Sequence, residues 1–282
     1  MRYKQYSDVK DFYTDVYEAL MRDEAQNLIL LGNLVMGCAG ADKHGWRDPA
    51  GWLMEAVFDG PALRLVALMT PPYNLTLYEV ESDDAALACL AAGIRESGST
   101  IPGVMAEKSL AMRFAHVYSQ RHKIEQEQRI YELTSVNPDI PLVGTIRPVR
   151  ESDLSFLPYW LACFHMDCFG GHLPDLEDEA ENARSRMEQG TDYILEVDGA
   201  AVSMASMHRA IQSVCGVGYV YTPPYFRGKG YATSCVAQVS RLILERGFAK
   251  CVLYTDLANP TSNSIYQKIG YAPICDSSVI PL

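Results

Sequence analysis

The sequence has 282 residues, 48% apolar and 21% charged, which is the composition of a globular protein with one large or two smaller domains. A formal net charge of −11 argues against a nucleic-acid-binding surface and favours a cationic or small neutral partner. No apolar run approaches the ~20 residues of a membrane span, and the N-terminus lacks the apolar core of a signal peptide. Eight scattered cysteines fit free thiols, so we expect a cytoplasmic protein without membrane contacts.

The first half of the sequence predicts alternating helices and strands. Phe12, Val16 and Leu20 recur at helical spacing and predict one or two helices over 9–36, with Asp8 as a candidate cap. Asp59-Gly60-Pro61 predicts a hairpin turn. The other elements predicted here are a loop at 38–51, strands at 52–58 and 63–69, a helix at 83–97, a strand at 102–106, a helix at 107–122, a strand at 124–136 and a linker at 137–141.

The second half begins with a predicted strand and helix start over Thr145–Leu154, where Ser152 or Asp153 is the candidate N-cap. Asp198-Gly199 predicts another hairpin turn. The further predicted elements are helices at 153–168 and 175–189, strands at 193–197, 201–208 and 214–221, a helix at 233–245, a strand at 250–255, a helix at 260–269 and a short final strand.

A glycine-rich loop joins the strand at 214–221 to the following helix. Thr222-Pro223-Pro224 ends the strand because proline donates no N–H, and Arg227-Gly228-Lys229-Gly230-Tyr231-Ala232 follows. The unbonded N–H groups and the dipole of a helix N-terminus attract anions, and two basic residues strengthen that attraction. The pattern favours a pyrophosphate site. The alternative is a tight connection in which the glycines serve only the turn.

Two motifs of the second half resemble those of the GNAT N-acetyltransferase superfamily. Arg227-x-x-Gly230-x-Ala232 resembles the Q/R-x-x-G-x-G/A loop that binds acyl-CoA. The segment from Asn259 to Tyr271 resembles the closing N-x-x-S-x-x-x-Y-x-x-x-G-[FY] segment, in the family's order and at a typical separation. The resemblance covers roughly residues 145–275.

The resemblance implies a site for acetyl-CoA or CoA as co-substrate. In the family, the strand before the loop offers backbone N–H groups to pantetheine and the thioester, the loop holds the pyrophosphate, and an asparagine contacts the pantetheine arm. The cofactor-binding residues implied are Val220, Tyr221, Thr222, Arg227, Gly228, Lys229, Gly230, Tyr231, Ala232, Thr233 and Asn259.

Tyr266 matches the tyrosine that protonates the CoA thiolate in many family members. A phenol is a plausible donor to a thiolate, while the alternative is an apolar packing role on the last helix. The sequence identifies no general base. Glu196, His208 and Tyr219 lie on strands that could face the acceptor, and each is interpreted as structural or solvent-facing.

Two clusters carry weaker signals. The acidic run from Asp175 to Glu181 could attract a cationic amine, but carboxylates at a helix N-terminus also interact favourably with its dipole. Cys163, His165, Cys168 and His172 are close in sequence, but C-x-H-x-x-C-x-x-x-H is not a usual zinc pattern. We therefore expect no metal.

The first half has a similar order of predicted elements. Thr70-Pro71-Pro72-Tyr73 repeats Thr222-Pro223-Pro224-Tyr225, and each copy is interpreted as following an apolar strand and preceding a helix. We infer an α/β (α+β) protein with two GNAT-like units in tandem, each a mixed sheet flanked by helices, with a degenerate domain at 1–142 and an acetyltransferase domain at 143–282. The alternative for the first half is an unrelated α/β domain. Since Asn74-Leu75-Thr76-Leu77 has no glycine or basic residue, this half is expected to bind no acyl-CoA and to close one side of the acceptor pocket.

The leading hypothesis is an N-acyltransferase that moves an acetyl group from acetyl-CoA to a primary amine of a small molecule or amino acid. A resemblance to larger two-part members, including the glycine N-acyltransferase-like group, extends the expected donors to longer acyl-CoAs. The alternatives are a non-catalytic acyl-CoA-binding module and a protein N-terminal or lysine acetyltransferase. The partners expected are acyl-CoA and a small amine, with no nucleic acid, for a monomer or homodimer.

Overall fold

Strands and helices follow the same order twice along the chain, in a computed structural model that describes residues 1–40, 48–120, 123–170 and 174–282. Each series contains a strand, two helices, three strands, a helix, a strand, a helix and a final strand. The first series is β1 (Arg2–Tyr6), α1 (Val9–Leu20), α2 (Leu28–Ala39), β2 (Leu53–Asp59), β3 (Ala62–Met69), β4 (Leu75–Glu79), α3 (Asp84–Ser97), β5 (Gly103–Glu107), α4 (Lys108–Ser119) and β6 (Gln126–Leu133). The second series is β7 (Thr145–Pro148), α5 (Leu157–Phe169), α6 (Leu176–Gln189), β8 (Asp192–Val197), β9 (Ala200–His208), β10 (Val214–Tyr221), α7 (Tyr231–Glu245), β11 (Lys250–Asp256), α8 (Pro260–Ile269) and β12 (Ala272–Pro281).

Local sequence signals account for several boundaries. The Asp8 carboxylate caps α1 by accepting from the backbone N–H of Lys10 and Asp11. Asp198 and Gly199 have φ angles of 49° and 79°, as a two-residue hairpin turn with two positive φ angles requires. Both features were predicted from the sequence.

Other boundaries differ from the sequence prediction. β1 and β4 were not predicted, and β12 is a full strand of ten residues rather than a short tail. The N-cap of α5 is Phe156 rather than Ser152 or Asp153. Asp153 lies in a preceding 3₁₀ turn, where its carboxylate binds the Arg147 guanidinium. Of the predicted loop at 38–51, positions 41–47 lie outside the described residues, as do the last two positions of the predicted helix at 107–122.

The repeated Thr-Pro-Pro-Tyr segments do not occupy equivalent positions. Thr70-Pro71-Pro72-Tyr73 lies between the antiparallel strands β3 and β4. Thr222-Pro223-Pro224-Tyr225 lies between β10 and α7, whose counterpart in the first series is the short connection 80–83. The tandem arrangement is confirmed by the repeated order of elements, but this piece of the evidence for it was wrong.

Contacts group the chain into two compact units. The first contains Met1–Ile130, Tyr254–Asn259 and Pro273–Leu282, and the second contains Tyr131–Leu253 and Pro260–Ala272. Most of β12 therefore belongs to the first unit, and the end of β6 belongs to the second. The single domain boundary at 142/143 stays a prediction.

Each unit contains a mixed sheet. In the first, the strand order is β1-β2-β3-β4-β5-β12, in which only β4 and β5 are parallel. In the second, the order is β11-β10-β9-β8-β7, in which only β10 and β11 are parallel.

Alternating side chains of the second unit's sheet pack against helices on opposite faces. Ile194 and Met204 pack with Leu157 of α5 and Ala183 of α6. The intervening strand residues pack instead with α7, whose buried face contains Val236, Val239, Ser240 and Ile243. Among the residues that the structure describes, no helix is long and apolar enough to cross a membrane.

Candidate functional site

β10 departs from regular pairing on both sides before it ends. The parallel register with β11 stops at Gly216 and Val252, although β10 continues to Tyr221. On its other side the register with β9 shifts between Gly218 and Tyr221, where Tyr219 has a φ angle of 51°. A bulge of this kind re-aims side chains and interrupts the ladder. The backbone between Gly218 and Tyr221 therefore lies outside the regular ladder.

Two glycines make room for a histidine on the neighbouring strand. A Cβ at Gly216 or Gly218 would approach the His208 ring to 2.7 or 2.6 Å, so neither position accepts a larger residue without movement. Burial, reinforced by nearby arginines, lowers the pKa of His208 to about 3 and keeps the ring neutral. His208 thus packs against β10, in agreement with its structural interpretation.

The loop after β10 has the positive backbone angles that its glycines permit. A 3₁₀ turn over Pro224–Phe226 leads to Gly228 and Gly230, whose φ angles are 75° and 79°. A Cβ at either glycine would meet no atom of the described chain within 4 Å, so the constraint at these positions is conformational rather than steric.

The N-terminus of α7 has no side-chain cap among the residues that the structure describes. Its N-cap is Gly230, whose carbonyl accepts the first helical hydrogen bond from Ser234 at 3.0 Å. The amides at 231–233 precede that bond and point out of the helix end, where the dipole is positive. This geometry is compatible with the anion-binding site that the sequence predicts, and anion binding itself stays a prediction.

The corresponding helix of the first unit is closed by its own carboxylate. Asp83 caps α3 and accepts from the backbone N–H of Ala85 at 2.9 Å and of Ala86 at 3.1 Å. Its neighbour Asp84 adds a second negative charge to the first turn. A phosphate would have to displace one carboxylate and approach another, so α3 is unsuited to bind it.

The Arg227 side chain connects the glycine loop to Thr222 and to α5. Its Nε donates to the Thr222 carbonyl at 2.8 Å, and its Nη2 donates to Asp167 of α5 at 2.6 Å. The Lys229 ammonium lies 5.8 Å from the centre of the Phe226 ring. The guanidinium therefore holds the loop against the last turn of α5. Asp167 was not predicted as its partner, because no sequence pattern connects the two positions.

Tyr266 is buried in the core of the second unit. Its ring lies beside Tyr131 and Tyr271, with centroids 6.4 and 6.0 Å away. Burial raises the pKa of Tyr266, the Cys168 thiol of α5 adds to the increase, and the Ser262 hydroxyl opposes it. The last turn of α5 is thus a neighbour of Tyr266 through Cys168 and of the glycine loop through Asp167.

The end of β10 is held by a serine of β9. Ser203 donates to the Tyr221 carbonyl at 3.1 Å and is hydrogen-bonded to the Thr222 hydroxyl at 2.8 Å. Val220 lies between Tyr219 and this hydrogen-bonded pair. The residues at 220–222 and 227–233 are therefore collected at the start of α7, whereas Asn259 lies between β11 and α8 in a segment assigned to the first unit.

The remaining candidates have defined partners. Glu196 accepts from Arg147 Nε at 2.6 Å, as expected for a structural residue. The His165 Nδ1 lies 2.7 Å from the carboxylate of Glu179, which belongs to the acidic run. No group of three or more metal-ligating side chains occurs in the described ranges, and His172 of the unusual cysteine–histidine pattern lies outside them.

Similar proteins share this architecture. Residues 197–279 match the family model of FR47-like protein, whereas no curated protein matches the sequence. A tandem GNAT protein from the clavulanic acid biosynthesis pathway is 12% identical, with 99% of this chain and 97% of that chain covered and a TM-score of 0.58. The chain has a tandem GNAT fold.

Two other solved structures support the GNAT assignment. A GNAT-family acetyltransferase from Colwellia psychrerythraea is 9% identical, with a TM-score of 0.59 and coverage of 99% of this chain and 98% of that chain. A GCN5-related N-acetyltransferase from Kribbella flavida is 16% identical, with a TM-score of 0.58 and coverage of 90% and 94%. Identities this low establish the fold, and the activity has to be argued from the candidate site itself.

Proposed function

We propose that this tandem GNAT protein is an acyl-CoA-dependent N-acyltransferase that moves an acetyl group from acetyl-CoA to a primary amine of a small molecule or amino acid. The observation that carries the proposal is the N-terminus of α7. It is entered through Gly228 and Gly230 at positive φ and has no side-chain cap among the described residues. In the first unit, Asp83 occupies the equivalent helix end, so the proposal places one acyl-CoA site on each chain.

The chemistry assigns a role to each part of the second unit. The amides at 228–233 bind the pyrophosphate, and Arg227 and Lys229 add positive charge beside it. The backbone at 220–222 holds pantetheine and polarises the thioester carbonyl, whose oxygen becomes negative as the amine attacks. The sequence resemblance also assigns Asn259, which lies outside the second unit, to the pantetheine arm.

Departure of CoA requires a proton for its sulfur. The neutral Tyr266 hydroxyl is the donor proposed for the thiolate, and burial keeps that hydroxyl protonated by raising its pKa. Of the two protons that the attacking ammonium loses, one ends on the CoA thiol and the other leaves to solvent. Holding the two substrates together converts a bimolecular reaction into an effectively unimolecular one.

Release of free thiol from acetyl-CoA tests the proposal. The full chain would be assayed with spermidine, tyramine, the twenty amino acids and a lysine-containing peptide, and product mass would be determined by mass spectrometry. We expect thiol release that depends on one class of small amine, with a product heavier by one acetyl group. Turnover of the peptide alone would instead support a protein acetyltransferase. Saturable acetyl-CoA binding without any turnover would support a non-catalytic binding module.

A further inference from the structure

A histidine and a carboxylate from the two helices α5 and α6 form a dyad. His165 Nδ1 and Glu179 Oε1 are 2.7 Å apart, and Asn182 donates to the other Glu179 oxygen at 2.9 Å. The Glu179 side chain is 6% exposed, whereas the His165 side chain is 29% exposed. A buried carboxylate that holds one imidazole nitrogen leaves the basic lone pair of the neutral ring on the other nitrogen, Nε2.

The charge state of Glu179 suits this arrangement. Burial by itself would raise the pKa of Glu179, but hydrogen bonds from His165 and Asn182 and the charge of Arg186 outweigh burial and lower it. The carboxylate is therefore ionised at neutral pH. An ionised partner fixes the orientation of the ring and stabilises the imidazolium form that appears when the ring accepts a proton.

The dyad lies beside the irregular end of β10. The His165 ring is 6.2 Å from the Tyr219 ring in an edge-on arrangement, and Phe164 packs on the same tyrosine at 5.0 Å. Tyr219 is the residue with positive φ at the bulge, directly before Val220. A base at this position is next to the backbone segment that the proposed function assigns to the thioester.

The candidate bases that the sequence offered are engaged elsewhere. Glu196 accepts from Arg147 at 2.6 Å. His208 has a pKa lowered to about 3, since it is buried and near arginines, so it is too weak a base at neutral pH. The Tyr219 ring is covered by the Arg186 guanidinium at 3.7 Å.

We propose that His165 is the general base of this acyltransferase and that Glu179 is its positioning residue. The inference rests on the proposed function. His165 Nε2 takes a proton from the acceptor ammonium, and the resulting amine forms the C–N bond at the thioester carbon. As the C–S bond breaks, the Tyr266 hydroxyl gives its proton to the CoA sulfur, and the second nitrogen proton, passed on by water, restores that hydroxyl. His165 releases the first proton to solvent.

Among the described residues, the charged and titratable groups that lie next to the dyad come from α6 and β10. Arg186 lies on α6 with Glu179, and Tyr219 lies on β10. Asp167 and Cys168 follow His165 on α5, where Asp167 binds Arg227. Arg186 is itself bound by the Asp192 carboxylate at 2.6 Å, so its charge is largely balanced. Glu179 is the carboxylate in direct contact with the imidazole.

The test compares wild type, His165→Gln and Glu179→Gln over pH 5.5–9.5, using acetyl-CoA and the best amine from the thiol-release panel. His165→Gln keeps a donor for Glu179 but has no base, so kcat/KM should fall by about 100-fold or more, with the acidic limb of the profile lost. Glu179→Gln keeps the hydrogen bond but removes the charge that stabilises the imidazolium, so the acidic limb should move to lower pH. Imidazole should restore activity to His165→Ala.

Affinity for acetyl-CoA and the melting temperature separate a catalytic effect from misfolding, and we expect both to stay near the wild-type values in His165→Gln. If His165→Gln retains wild-type kcat/KM and its acidic limb, or if a folded His165→Ala variant gains nothing from imidazole, the assignment of His165 is wrong while the acyltransferase proposal stands. If the wild type turns over none of the panel amines, the proposed function fails and the assignment of His165 fails with it.

Discussion

Tyr266 allows the proposed proton donor to be tested at a single atom. Because Tyr266→Phe removes only the hydroxyl from a buried ring, the core should keep its packing and acetyl-CoA should bind with unchanged affinity. Turnover should fall about 100- to 10,000-fold, since a general acid typically contributes such factors. Steady-state kinetics with parallel acetyl-CoA titrations provide the measurement, and equal turnover by Tyr266→Phe at every pH would exclude this residue as the acid.

The raised pKa of Tyr266 also predicts how turnover depends on pH. Burial raises the pKa of Tyr266, so its hydroxyl should remain protonated throughout an assay between pH 6 and 9.5. The pH profile of wild-type turnover should therefore contain no fall at alkaline pH that disappears in Tyr266→Phe. A limb of that kind would mean that the hydroxyl ionises in the working range, contrary to its burial.

Glu55 of the first unit couples stability to pH. Its carboxyl is fully buried and bonded to the Tyr3 hydroxyl, and one of its oxygens has no partner among the described residues. Burial raises the pKa of Glu55 from 4.5 to about 7. Because the pKa of Glu55 is higher in the folded protein, the protonated carboxyl stabilises the fold below pH 4.5, and this stabilisation is lost as the pH rises through 7. The loss in free energy of unfolding is at most about 3 kcal/mol.

Glu55→Gln should remove this dependence. The free energy of unfolding of the variant, relative to wild type, should increase between pH 4.5 and pH 7.5, because the neutral amide never ionises. Urea denaturation at both pH values provides the measurement, with Glu18→Gln on the exposed face of α1 as the control. A constant difference between variant and wild type across this range would contradict the effect of burial on Glu55.

At the scale of the loop and helix, Arg227 and Gly230 should differ in importance. The Arg227 guanidinium is hydrogen-bonded to Thr222 and Asp167. Because the Arg227–Asp167 pair is about half exposed, its contribution to the stability of the loop is small. Arg227→Ala should therefore raise the Kd for acetyl-CoA less than 10-fold, with a reduced dependence on salt. An increase of 100-fold or more would mean that the side chain, rather than the backbone amides, provides most of the binding.

The elements of the site differ in how far the sequence could predict them. The glycine loop was predictable because backbone positions with positive φ favour glycine, and Gly228 and Gly230 occupy two such positions. The dyad of His165 and Glu179 was not, because its partners come from two helices and meet only through tertiary packing. The bulge at Tyr219 likewise depends on the neighbouring strand and the side chains that cover it.

At the scale of the whole molecule, the division of the chain into units limits what can be cut from it. A fragment of residues 143–282 would lack Tyr131 and Leu133, which are part of the second unit's core. It would also carry β12 without β5, with which Ser277–Pro281 pairs in the first unit. We expect this fragment to aggregate or to bind a hydrophobic dye, as measured by light scattering and 8-anilinonaphthalene-1-sulfonate fluorescence. A monodisperse fragment with full acetyl-CoA affinity would contradict this expectation.

The order of elements was largely predictable, whereas the division into units was not. Apolar periodicity, Asp caps and Asp-Gly turns are local signals, and they located most helices and hairpins. The pairing of β12 with β5 joins positions more than 160 residues apart, and a single sequence has no local signal for such a partner. The β4 strand was missed because Asn74-Leu75-Thr76-Leu77 was interpreted as the counterpart of the glycine loop before a helix.

Calorimetric titration with acetyl-CoA tests the central claim most directly, using wild type, Gly230→Val and Gly199→Val. Gly230 and Gly199 share a φ angle of 79° and open surroundings, so valine should introduce similar backbone strain at both positions. Only Gly230 lies at the start of α7. The account predicts saturable binding of one acetyl-CoA per chain by wild type and Gly199→Val, and at least 100-fold weaker binding by Gly230→Val. Equal affinity in all three proteins, or no binding by the wild type, would mean that the glycine loop serves only the turn into α7.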